Sequence, residues 1–163
     1  MFREMRRKKQ ALPKEDCLEM LHRGTSGVLA LSGDNDYPYA VPLSYVYADG
    51  KIYFHSAAEG HKMDAIAQNQ KASFCVIDQD RVVSEEYTTY FRSVIAFGRI
   101  NTVSNEDKKR QAIQRLADRY SPRESAERTR QAISREWAQL CILELTIEHI
   151  SGKEAMELVN QKR

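Results

Sequence analysis

Residues 39–57 read YAVPLSYVYADGKIYFHSA: two runs of alternating apolar and polar residues, held apart by Asp49-Gly50. Both centre positions of the tightest hairpin turn need a positive φ, which Asp-Gly tolerates and bulky residues do not. The stretch therefore commits the chain to an antiparallel pair, Tyr39–Tyr47 against Lys51–Ala57. With Ala48 facing Lys51, the pairing predicts Tyr45 opposite Phe54 and Ser44 opposite His55. Leu43, Tyr45, Phe54 and Ser56 then share one face, and Ser44, Val46, Tyr53 and His55 the other. Pro42 cannot donate to a ladder, so its part of the strand is expected at an edge or a bulge.

The same reading extends along the chain. Pro13 opens a short helix with Cys17, Leu18 and Leu21 on one side and Gly24 as its stop. SGVLAL (26–31) reads as a strand and GDND (33–36) as a turn. Residues 61–69 form a short helix with Met63 and Ile66 inward. ASFCVID (72–78) is a near-continuous apolar strand. In TTYFRSVIAFGRINTV (88–103) the alternation shifts around Gly98, which predicts a bend or bulge. Ser104 with Asp107 reads as a capping box for a helix whose stripe is Ile113, Leu116, Ala117 and Tyr120. Ser121-Pro122-Arg123-Glu124 reads as a second start, for a helix carrying Ala126, Ile133 and Trp137. LCILELTIEHI (140–150) is the last strand, followed by a Ser-Gly-Lys turn and a polar tail. Turns rather than crossover helices separate most strands, which favours a mainly β fold with flanking helices, an antiparallel barrel or curled sheet, over a parallel α/β fold. One domain over 1–163 is expected, with a basic arm at 1–12 and a helical insertion at 104–137.

Composition narrows the partners. Twenty-five basic against 23 acidic residues leave a net charge of +2, too little to predict a polyanion partner. The exception is FREMRRKKQ at the start, either a nucleic-acid arm or a solvated arm that could lie on a neighbouring subunit. With Phe2 its only aromatic, base stacking has little to work with, and no nucleic-acid partner is expected. No run of 18 apolar residues exists, and no apolar stretch follows the first basic residues, so neither a membrane span nor a secretory signal is expected. Cys17, Cys75 and Cys141 are odd in number, far apart and without CxxC spacing; reduced thiols in a cytoplasm fit them best.

Chemistry gathers behind the hairpin. A strand ends at His55-Ser56-Ala57, a small-residue loop follows, and Gly60-His61-Lys62 opens a helix. Helix N-termini present N–H groups without intrahelical partners, Gly60 lets an anion approach the backbone, and Ser56 and Lys62 add a hydroxyl and a charge. The pattern suits a phosphate, though an ordinary loop could carry it. Arg92, set in the apolar run YFRSVIAF, needs a partner because an unpaired buried charge is costly. Either it pairs with Asp78, Glu85 or Glu86, or it contacts a ligand with Ser93 beside it. His22, His55, His61 and His149 have no metal-ligand spacing, and no nucleophile motif is present, so no metal site is expected.

Taken together, MRRKKQAL, YPYAVPLSYVYADGKIYFHSAAEGHK, TTYFRSVIAFGRI and EHISGKE resemble the pyridoxamine 5′-phosphate oxidase-like FMN-binding split-barrel proteins, most of all their nitroimidazole-resistance (Nim-type) reductase branch. The resemblance spans roughly residues 3–155. It implies a six-stranded antiparallel split β-barrel that forms a homodimer, with FMN held in clefts between subunits and a small molecule as substrate. It places Val41, Pro42, Leu43 and Ser44 along the flavin ring. His55, Ser56, Ala57, Gly60, His61 and Lys62 fall at the ring edge, ribityl chain and phosphate, and Arg92 and Ser93 in the same pocket. The function implied is an FMN-dependent oxidoreductase that reduces a nitroimidazole or another nitroaromatic from a nicotinamide donor. The alternative is a flavin-carrying module without turnover. His55 is the expected catalytic residue, either donating a proton or only hydrogen-bonding the cofactor. The closing SGKEAMELVNQKR lacks the Arg-rich segment with which the oxidases hold a second phosphate, so oxidation of pyridoxamine phosphate itself is not expected.

Overall fold

A computed structural model describes residues 2–162. Eight antiparallel strands form one sheet: β1 (Ala11–Leu12), β2 (Ser26–Ser32), β3 (Pro38–Ser44), β4 (Val46–Ala48), β5 (Lys51–Ala57), β6 (Lys71–Val83), β7 (Thr88–Thr102) and β8 (Leu140–Glu154). Five helices flank it: α1 (Lys14–Arg23), α2 (His61–Gln68), α3 (Glu106–Tyr120), α4 (Ala126–Glu136) and α5 (Met156–Gln161). None among the described residues is long and apolar enough to cross a membrane. The strands lie in the order β3-β2-β6-β7-β8-β5-β4, with β1 added on β8. This is not a six-stranded count, and the hydrogen-bonded path does not close. The run expected as one strand, Tyr39–Tyr47, divides at Tyr45 into β3 and β4, which sit at opposite ends of the path.

The hairpin turn forms as its residues demand, with φ of 52° at Asp49 and 76° at Gly50. Ala48 faces Lys51 and Val46 faces Tyr53, but the ladder stops there. Ser44 pairs with Ser26, not His55, because β3 has left β5 for β2. The expected facing survives the change of partner. Tyr45 and Phe54 are fully buried and pack on Phe74, with ring centroids 4.9 and 5.0 Å apart at steep angles. Val46 and Tyr53 lie on the other face, beneath Ala112 and Leu116 of α3.

Other boundaries move for local reasons. In α1 the buried set is Cys17, Met20 and Leu21; Leu18 is only half-buried. Asn105 rather than Ser104 caps α3, accepting from the Lys108 N–H at 2.9 Å. Ser125 rather than Ser121 caps α4, and residues 121–124 make a turn instead. The expected Ser-Gly-Lys turn is strand: β8 runs on through it, paired on one side with β7 from Ser151 to Glu154 and on the other with β1 at Gly152 and Lys153. The arm is accordingly tied down, with Gln10 buried and Phe2 stacked on His149 at 4.6 Å, on its own sheet. The expected shift in β7 is present between Phe97 and Gly98. A Cβ at Gly98 would strike the Thr146 carbonyl, so backbone of β8 occupies the place of a side chain.

Candidate functional site

Three segments meet at one corner of the sheet. β3 is an end strand, hydrogen-bonded only to β2, so alternate backbone groups along its outer edge have no strand partner. Its side chains alternate. Tyr39, Val41 and Leu43 pack toward the core, while Pro42 and Ser44 are exposed on the outer face. A flat ligand against this strand would therefore meet Pro42, Ser44 and backbone, not the side chains of Val41 and Leu43.

α2 begins beside that strand. The His61 ring stacks on Tyr39 at 4.0 Å, and its Nε2 lies 3.7 Å from Asp34. Gly60, immediately before the helix, has φ 120°, a region that favours glycine, and a Cβ there would meet nothing within 4 Å. The Met63 and Asp64 N–H groups turn back to the Gly60 carbonyl at 2.8 and 3.1 Å; those of His61 and Lys62 precede them, where a helix has no internal acceptor. Asp64 in the same turn opposes an anion, and Lys62 favours one. Burial holds the Lys62 ammonium below its ordinary value, offset in part by Cys141 and by no carboxylate among the described residues. A dianion would offset it further. From β5, the Ser56 hydroxyl sits 3.8 Å from the Met63 sulfur and 2.9 Å from the Ala57 carbonyl, which joins the strand end to the helix.

His55 projects to the other face of β5, where it and Ser44 line a cleft of about 440 Å³ under α3 and α4. The two residues predicted to face each other thus do share a wall, although no ladder joins them. Their alignment depends on Tyr120. Its hydroxyl accepts from the Tyr45 N–H at 2.8 Å, and its single hydrogen is shared between the carbonyls of Tyr45, also at 2.8 Å, and Thr25. The strand break between Ser44 and Val46 is satisfied from a helix 75 residues away. The sequence stripe marked Tyr120 as buried apolar surface; its ring is partly exposed, 39%, and its hydroxyl does the work. Asp34 and Tyr39, which hold His61, were likewise not singled out, although GDNDYPY marks that turn.

Arg92 lies apart from this corner, in a charge network. Its guanidinium is 3.5 Å from Asp78 and 3.2 Å from Glu154. Arg23 makes two bonds of 2.7 Å to the same Asp78. Of the three partners considered for Arg92, Asp78 is the one it meets; Glu86 instead accepts from the Tyr90 hydroxyl at 2.7 Å. Ser93, next on β7, pairs with Ile77 and Lys153.

The model of one protein family, described as pyridoxamine 5′-phosphate oxidase, matches residues 13–154. No curated protein is significantly similar in sequence. Among solved structures, a FAD-binding protein from Mesorhizobium loti is 25% identical with a TM-score of 0.68, over 90% of this chain and 97% of its own. A candidate 5-nitroimidazole antibiotic resistance protein from Bacteroides thetaiotaomicron is 17% identical with a TM-score of 0.71, over 88% and 86%. A conserved hypothetical protein from Mycobacterium tuberculosis reaches 0.81 at 15% identity, over 95% and 92%. At such low identity the last two show the fold alone.

Proposed function

The chain belongs to the pyridoxamine 5′-phosphate oxidase family, and on that premise we propose that it is an FMN-dependent oxidoreductase acting on a small oxidised molecule such as a nitroimidazole. One observation carries the reading: a glycine-led helix start with a half-buried Lys62 that no carboxylate among the described residues pairs, set against the free edge of β3. The first turn of α2 and Lys62 would hold the phosphate, and Ser56 its ribityl side. Pro42, Ser44 and the backbone of Val41 and Leu43 would flank the ring. Bound flavin supplies two-electron chemistry that no side chain here can perform. His55 stands where it can hydrogen-bond a substrate oxygen and give it a proton. The balance is that a nitro group, one nicotinamide hydride and one proton become a nitroso group, oxidised nicotinamide and water.

A homodimer completes this reading. Across five strands, Pro42, Val28, Cys75, Ile95 and Ser151 stand in one transverse row, and Ala40, Ala30, Ser73, Phe97 and His149 in the next. Neither row contains a Lys, Arg, Asp or Glu; Phe2 of the same chain lies on Phe97 and His149 at one end of the second row, and the rest suits burial against a second copy.

The test is the visible spectrum. Purified protein is expected to be yellow, to bleach with NADPH or NADH, and to recover on adding a 5-nitroimidazole, with FMN identified by mass in the extract. Lys62→Ala is expected to weaken FMN binding roughly 10- to 100-fold, the worth of one charged hydrogen bond. His55→Ala is expected to keep the flavin and lose turnover. Yellow protein that no nitro compound re-oxidises would make it a flavin carrier. Colourless protein that gives no heat with millimolar FMN would end the proposal.

A further inference from the structure

The helical pair before β8 is built unlike the rest of the molecule. α4 contains no buried residue. Its apolar side, with Thr129, Ala132 and Ile133, borders the 440 Å³ cleft instead of a packed layer. An 11-residue helix is marginal alone, and this one is held mainly at its ends. Ser125 caps its start. At its far end the Trp137 ring lies between the Lys109 ammonium at 4.2 Å and the Arg110 guanidinium at 4.6 Å, and Lys109 also donates to the Trp137 carbonyl at 3.1 Å. Trp137 is therefore a clamp joining α4 to α3. The clamp keeps α4 standing off the sheet with space beneath it.

We propose that this space is a binding compartment for a neutral, largely apolar small molecule, which it presents to His55 and Ser44. Cleft volumes of this order suit a one- or two-ring organic compound. Side chains that could have filled the space are short: Ala117, Ser121, Thr129 and Ala132. Ile113, Leu116 and Ile133 supply apolar contact, and His55 with Ser44 supply the hydrogen-bonding end. The charges at the rim select against anions. Arg128 is taken by Glu124 at 3.0 Å, and Glu136 adds a second carboxylate to the lining. Gly60, His61 and Lys62 do not line the cleft, so it is separate from the phosphate corner and meets it only through His55 and Ser44. That the occupant is the molecule reduced rests on the flavin reading above; that the cleft binds an apolar molecule does not.

The experiment uses N-phenyl-1-naphthylamine, a neutral probe whose emission rises in apolar surroundings, with the full chain as purified. Wild type is expected to bind it, and 2-methyl-5-nitroimidazole to displace it. Ala132→Trp and Thr129→Trp, which fill the cleft from an exposed helix, are expected to weaken the probe at least tenfold. Ala132→Ser, which keeps the volume, and Lys62→Ala, which touches only the phosphate corner, should stay within twofold of wild type. With flavin bound, the two Trp variants are expected to raise the KM for the nitro compound and leave flavin absorbance unchanged. Equal probe binding by wild type and the Trp variants overturns the proposal. So does an affinity that falls as protein concentration rises, since a second copy would then be the occupant. Because the probe needs no flavin, a colourless protein that binds it would refute the redox reading and leave the compartment standing.

Discussion

Tyr120 shows how much can rest on one hydroxyl. At Tyr45 the chain passes from one end of the sheet to the other, and the peptide groups there belong to neither ladder. Removing the Tyr120 oxygen leaves an N–H and a carbonyl partly buried without partners, a loss of about 1–3 kcal/mol. Tyr120→Phe keeps the ring and its packing, so its expected lowering of the urea midpoint reports the hydroxyl alone. The same variant is expected to blur the relation of Ser44 to His55, read as weaker binding in the cleft they share. His55 and Ser44 were legible in the sequence because strand alternation assigns a face without knowledge of the partner strand. The role of Tyr120 was not, since no local pattern encodes a contact across 75 residues. Gly60-His61-Lys62 lies between these cases: its spacing announced a helix start, but only the packing of Tyr39 on His61 brings that start to β3.

Between elements, the main polar fastening is the network around Asp78, which ties α1 through Arg23 to β6 and β7. Glu154 carries it on to β8 and, through Lys162 at 2.9 Å, to the end of α5. The Arg23 guanidinium, assisted by Arg92, holds the Asp78 carboxyl below its ordinary 3.8. A depressed carboxyl contributes stability that is complete above its unfolded value and lost as pH falls through the lower folded one. Asp78→Asn is accordingly expected to cost about 2 kcal/mol at pH 7. The gap from wild type should narrow in urea titrations carried below pH 3.8, as the wild-type carboxyl protonates. The strands were legible from their period of two and the hairpin from Asp-Gly. Helix starts were not legible to the residue, because 104–105 and 121–125 each offer two good caps, and tertiary packing chooses between them. The extension of β8 through Ser-Gly-Lys escaped notice because its partners, β7 and β1, lie more than 50 residues away in the sequence.

For the whole molecule, the uncharged rows on the outer sheet face are the feature with the most to say about assembly. Ile95 sits at their centre, with Cys75 on one side and Ser151 on the other. If the proposed dimer buries this face, Ile95→Arg places an unpaired charge in it from each copy. Dissociation is expected to strengthen on the order of 100-fold, as an uncompensated buried charge costs about 3 kcal/mol or more. Sedimentation velocity across protein concentration would show it, and flavin should be released with the partner. A mainly β, antiparallel class was foreseeable from the spacing of turns. The strand count was not: a break at Tyr45 and a two-residue strand at Ala11 depend on neighbours the local pattern does not specify.

The place of β8 in the strand order also bears on how the protein is made. Every ladder that joins β3-β2-β6-β7 to β5-β4 passes through it, yet of the eight described strands it is the last to be synthesised. Until Leu140–Glu154 emerges, a nascent chain holds Ile52 and Phe54 on a hairpin without its β8 neighbour, and Ile100 on a strand with one side unpaired. Completion of the sheet is thereby deferred until β8 has emerged, and the segments made before it wait with one pairing edge open.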